Sequence, residues 1–172
     1  METLIADTIA EPRWFPFRFD GRKLFIGLRN SRTAELGFDQ GQLFQQSDLQ
    51  LAALAWLAIQ RTMADSASRF GRERVASVTS GDLFGRPEET LTAVAAHLKL
   101  LLNVDQKLKT GLFRRHAKTG EPFDAAARAR GVADALQIHG EEIRLVAEWA
   151  RKVAEANSIA WDLPYPLLPA AV

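Results

Sequence analysis

The chain has 172 residues, 47% of them hydrophobic and 25% charged, the balance of one soluble globular domain with its own core. Lys plus Arg (22) and Asp plus Glu (21) nearly cancel to a formal charge of +1, which excludes bulk attraction to nucleic acid or anionic lipid and leaves local anion binding. Without cysteine there is no disulfide framework, thiolate metal site or thiol nucleophile.

The start, Met1-Glu2-Thr3-Leu4-Ile5-Ala6-Asp7, has an early acid and no apolar run of signal length. Nothing downstream approaches a membrane span, so no membrane partner and a cytoplasmic location are expected. From Arg13 to Leu28, aromatic and β-branched residues flank Asp20-Gly21, a pair suited to a two-residue turn, and an N-terminal β-hairpin is predicted with strands at 14–19 and 22–28. Pro16 makes the first of these an edge strand. Residues 30–46, broken by Gly37 and Gly41, read as a connection.

Ser47 and Gln50 have the spacing of a capping box and start a helix. Leu49, Leu51, Leu54, Trp56, Leu57 and Ile59 cover most of its circumference, which makes it the central helix, emerging towards a stop at Gly71. Residues 75–78 then read as a short buried strand. Pro87 opens another helix, with Glu88 and Glu89 at the positive end of its dipole and Leu91, Val94, Ala95 and Leu98 as its apolar stripe. Residues 103–123 form a basic loop. Asp124 caps a helix to about Gln137, weakened by roughly 1 kcal/mol at Gly131. A last helix follows Gly140, with Ile143, Val146, Ala147, Ala150 and Val153 inward and a Glu148/Lys152 pair outside. The Pro-rich tail from Trp161 is extended and docks on the body.

Arg114, Arg115, His116, Lys118, Thr119 and Gly120 place three fixed cations, an imidazole, a hydroxyl and a glycine together, a set able to surround a phosphate or sulfate by charge-assisted hydrogen bonds, or to serve only as a solvated basic loop. His97, His116 and His139 are too scattered for a metal site. Asp82 is a candidate general base, though a carboxylate beside Gly81 serves more often as a turn former or helix cap.

The order Ser80-Gly81-Asp82-Leu83, then Arg86-Pro87-Glu88, then His97-Leu98-Lys99-Leu100 resembles the second half of a sulfotransferase, and the similarity runs from about Leu36 to the final prolines. The resemblance implies a single domain, 1–172, with a hairpin (1–30) joined to a sulfotransferase-like helical region (47–168). Its fold would be α+β, mainly α, a truncated remnant of a P-loop-type α/β fold. It further implies 3'-phosphoadenosine 5'-phosphosulfate as cofactor, a hydroxyl or amine acceptor, and Arg115, His116, Lys118 and Gly120 as the grip on the cofactor's 3'-phosphate. No Gly-rich, Lys-containing loop exists for the transferring oxyanions, so weak or no autonomous transfer is expected. The alternative is a non-catalytic interaction or regulatory domain, with a second copy or another protein as partner, using the aromatic N-terminus and the apolar tail. A nucleic-acid reading would rest on Lys107, Lys109, Arg114, Arg115 and Lys118 and would require binding that falls steeply with salt.

Overall fold

Ser47 and Gln50 cap a helix as their spacing predicts. In the computed structural model the Ser47 amide donates to Gln50 Oε1 (2.9 Å) and the Gln50 amide to Ser47 Oγ (3.2 Å). The structure describes residues 1–10, 34–104, 111, 115, 120 and 122–169. The predicted hairpin at 14–28 lies outside these residues. The described elements are helices α1 (Glu2–Ala10), α2 (Gln40–Gln45), α3 (Asp48–Phe70), α4 (Ser80–Gly85), α5 (Pro87–His97) and α6 (Ala125–Ala156), with a 3-10 turn at Ala34–Leu36. The chain is mainly helical, and none of its described helices is long and apolar enough to cross a membrane.

It divides into two compact units, Met1–Thr62 with Ala126–Asp162, and Met63–Ala125 with Leu163–Val172. The first holds the larger core. Leu51, Ala53, Leu54 and Leu57 of α3 are fully buried and join Ile5 and Ala6 of α1, Leu36, Leu43, and Ile143, Ala147, Ala150 and Ala154 of α6 in one apolar cluster. Ile59, predicted to share this burial, is 57% exposed. Trp56 and Trp161 meet edge to face at 5.0 Å, and the Arg151 guanidinium lies 4.4 Å from the Trp161 ring centre. Asp7 and Arg128 form a bidentate ion pair between α1 and α6.

Three sequence readings need correction. First, residues 34–45 are not merely a connection. Asp39 and Gln42 form a capping box, each bond 2.8 Å, which starts α2 despite the nearby glycines. Second, the last helix carries a different outer pair, although the two C-terminal helices meet as predicted, in a run Ala125–Ala156 kinked at His139 (φ −114°, ψ 17°), one residue before Gly140. The outer pair on it is Arg144 with Glu148 (2.6 Å), not Glu148 with Lys152. Third, the strand at 75–78 shrinks to a single parallel bridge between Ser77 and Pro166. The tail that it meets contains Pro164, Pro166 and Pro169, which have no amide to extend a ladder.

The second unit is held by polar contacts as much as by its small apolar core of Ala67, Ala95 and Leu168. The Ser77 amide donates to the Tyr165 carbonyl (3.0 Å), its hydroxyl to the Pro164 carbonyl (2.5 Å), and the Leu167 amide to the Ser77 carbonyl (3.0 Å). Ser77 is 2% exposed, and these bonds satisfy what would otherwise be costly buried polar groups. The tail therefore docks, as its apolar residues predicted. Gly71 ends α3 at φ +73° with its amide on the Ala67 carbonyl (2.8 Å), also as predicted.

Candidate functional site

Of the four residues expected to grip a phosphate, Arg115 and Gly120 are described. The Arg115 Nη1 donates to the Gly120 carbonyl (3.0 Å), Arg115 bridges Pro122 in antiparallel fashion, and Gly120 takes the left-handed conformation at φ +71°. Arg115 and Gly120 are thus tied together by the side chain expected to bind the anion. Both residues are exposed. A guanidinium carries five donors, so this bond leaves capacity for an anion. His116 and Lys118 lie outside the described residues.

Asp82 sits in the first turn of α4, not in an open acidic turn. Thr79 is the N-cap, its hydroxyl oxygen accepting from the Asp82 amide (2.9 Å) and donating to Asp82 Oδ2 (2.7 Å). Asp82 Oδ1 accepts from Arg86, whose Nη2 also donates to the Pro169 carbonyl (2.9 Å), and Thr90 Oγ1 donates to the Asp82 carbonyl (3.0 Å). The Arg86 hydrogen bond, then that from Thr79, holds the Asp82 carboxyl below the usual carboxylate range, and the same contact raises the Arg86 guanidinium further. A carboxylate so engaged is a poor proton acceptor, and its role is to tie α4, α5 and the tail together. The sign follows from linkage: stability from this pair is full above the ordinary carboxylate pKa of about 3.9 and is lost as pH falls through the lower folded value. Asp82→Asn is expected to lower Tm by a few degrees at neutral pH and to make progressively less difference as pH falls below the ordinary carboxylate range, checked by thermal melts from neutral to acid pH.

Among the described residues no group of three or more His, Asp or Glu side chains is placed to hold a metal. His97 ends α5, and His139 lies 3.9 Å from Glu142.

The feature that periodicity missed is the end of α5. Lys99 takes a left-handed turn (φ +55°), with its amide on the Ala96 carbonyl (3.1 Å) and the Leu100 amide on the Ala95 carbonyl (2.9 Å), a Schellman stop built without glycine. The turn carries Leu98, Leu100, Leu101 and Leu102 outward, at 56%, 57%, full and 38% exposure. Leu98, predicted to lie on the buried stripe, is the C-cap of the helix and belongs to this exposed run. Beside it is an open groove of about 720 Å³, floored by Thr92, Ala95 and Ala96 of α5 and walled by residues 100–104.

Comparison with family models, with curated proteins and with solved structures finds no match to this chain.

Proposed function

We propose that the chain is a non-catalytic interaction domain whose working surface is the leucine run after α5 with its adjoining groove. The observation that carries this reading is the run itself. Four large apolar side chains within five residues stay in water, at a helix stop that costs backbone strain at Lys99, where scattered single apolar residues would need no account. The Asp82–Arg86 pair serves the fold, which supports a role in binding over one in catalysis.

In the test, native chain and Leu100→Ser/Leu101→Ser are titrated with an environment-sensitive apolar dye and compared by sedimentation. The native chain is expected to bind dye in the folded state, and the variant to lose at least tenfold in affinity with unchanged circular dichroism. A native chain that binds no dye and sediments as a strict monomer at all concentrations would overturn the reading.

A second reading keeps the sulfotransferase resemblance and is supported by the exposed Arg115 guanidinium held on the Gly120 carbonyl. One exposed guanidinium fits a single anionic group, not the whole of 3'-phosphoadenosine 5'-phosphosulfate. The chain has no candidate loop for the phosphosulfate end, so no transfer step to a hydroxyl or amine acceptor is derived. This reading expects weak calorimetric binding of 3'-phosphoadenosine 5'-phosphate that disappears in Arg115→Ala. Absent binding, or binding unchanged in the variant, removes it.

A further inference from the structure

We propose that the cradle made by Ser77 and Arg86 is a binding site for an extended, proline-containing peptide from another chain, held closed in this one by its own segment 163–169. The proposal stands apart from the leucine run and uses neither that run nor its groove. The bonds that hold the segment run mostly one way. The Ser77 amide, the Ser77 hydroxyl and Arg86 Nη2 donate to the carbonyls of Tyr165, Pro164 and Pro169, and the Leu167 amide returns one bond to the Ser77 carbonyl. A cradle of donors suits proline, which keeps its carbonyl and has no amide to leave unpaired. Proline also fixes φ, so a segment with Pro164, Pro166 and Pro169 loses less freedom on docking. Each of these bonds reaches the segment at its main chain. Tyr165, Pro166 and Pro169 are exposed, and Leu168, at 9% exposure, is its buried side chain. The site therefore asks for carbonyl-rich backbone and one leucine, spaced as Pro-x-Pro-x-Leu-Pro, which a second copy or another protein can supply.

The segment is also built to let go. Each of its hydrogen bonds is a small net gain, set against the ordering of the residues from Leu163 to Pro169. Tyr165 stands at φ +49°, a left-handed conformation that a bulky side chain adopts at a cost. Trp161, two residues before the segment, is held in the first unit by Trp56 and Arg151, so the segment can leave without loosening the end of α6. Until it leaves it competes with any incoming peptide at the high effective concentration of a tethered ligand. Affinity for the peptide is reduced by the fraction of chains in which the cradle is closed, and weakening the tethered occupant raises it.

The test titrates the full chain with a fluorescent synthetic peptide of the sequence 163–169, and with two controls, one carrying alanine for its three prolines and one carrying serine for Leu168. Leu168→Ser in the chain itself, which weakens the tethered occupant, is expected to bind the native peptide at least tenfold more tightly than the unaltered chain does. Both control peptides should bind that variant several-fold more weakly, and adding Ser77→Ala to it should cause a similar loss. In the unaltered chain, excess peptide should speed hydrogen exchange at the Leu167 amide, whose partner is the Ser77 carbonyl, and leave the amides of α3 unchanged. This second readout decides the matter if Leu168→Ser does not fold. No difference between the two chains, together with Leu167 exchange that the peptide does not alter, would overturn the proposal and make the segment a fixed part of the fold. Where the peptide binds, a dimer that grows with concentration and is broken by excess peptide in sedimentation assigns the site to a second copy, and a monomer throughout assigns it to another protein.

Discussion

Arg128→Leu is expected to destabilise the first unit by about 2–4 kcal/mol, because it leaves the Asp7 carboxylate in the core without its counter-charge. The Asp7 side chain is 10% exposed, and Arg128 meets it through two donors, Nε to Oδ1 at 2.9 Å and Nη2 to Oδ2. Desolvating a lone carboxylate costs several kcal/mol. The Arg128 guanidinium is 31% exposed, so partial hydration places the expected effect below that of a fully enclosed pair. Asp7→Leu/Arg128→Leu should recover most of the loss, since two apolar side chains need no mutual compensation. Urea unfolding of the two single variants and the double variant, read as a double-mutant cycle, measures the coupling. A cost under about 0.5 kcal/mol for Arg128→Leu would mean that water screens the pair and that α1 is held by its apolar contacts, chiefly Ile5 and Ala6.

That pair also shows where sequence reading stops. Asp7 and Arg128 are 121 positions apart, and neither carries a local signal that names the other. Short-range chemistry was far more legible. Ser47-x-x-Gln50 announced α3, Gly71 its end and Pro87 the start of α5, because each acts on backbone groups within one helical turn. The same box, Asp39-x-x-Gln42, is obscured in the sequence by Gly37 and Gly41, which favour a connection. Gly37 does take φ +80°, but ahead of the cap, where it leaves α2 intact. The early acid that argued against a targeting segment hid a nine-residue helix, α1, whose Ile5 and Ala6 are fully buried.

The site was less legible than the fold. The Asp82–Arg86 contact has the i,i+4 spacing that pairs charges on a helix, yet the residues resemble a turn motif, and that resemblance drew attention to catalysis. Charge and composition point to Arg115 and Gly120 as anion ligands. That Arg115 would donate to Gly120 depends on the left-handed Gly120, a conformation that the glycine permits but does not dictate. The exposure of Leu98 to Leu102 is not legible in the sequence, for a related reason. Periodicity marks residues that could be buried, while burial needs a covering surface, and the non-glycine stop at Lys99 turns these leucines away from the stripe that ends at Ala95.

Leu54→Ala is expected to be the most damaging single truncation, at about 3–5 kcal/mol, near the upper part of the range for a buried leucine. The lost transfer free energy accounts for only part of it, and the rest depends on whether neighbours can move into the space. Leu54 is fully buried, and the cluster around it is rich in alanine: Ala53 on its own helix, with Ala147, Ala150 and Ala154 of α6. Alanine has no side-chain torsion with which to reach into a void, so a cavity here stays open unless helices shift. Ile59→Ala, on the same helix but 57% exposed, is expected to cost less than about 1 kcal/mol. Urea melts with unchanged slope would compare the two directly. Equal costs at Leu54 and Ile59 would show that α3 is not enclosed on its Leu51–Leu54–Leu57 side, and the first unit would then need a different account of its stability. A large difference would locate that stability in the tight alanine-lined packing, where even a conservative enlargement such as Ala150→Val should also be unfavourable, by roughly 1–3 kcal/mol.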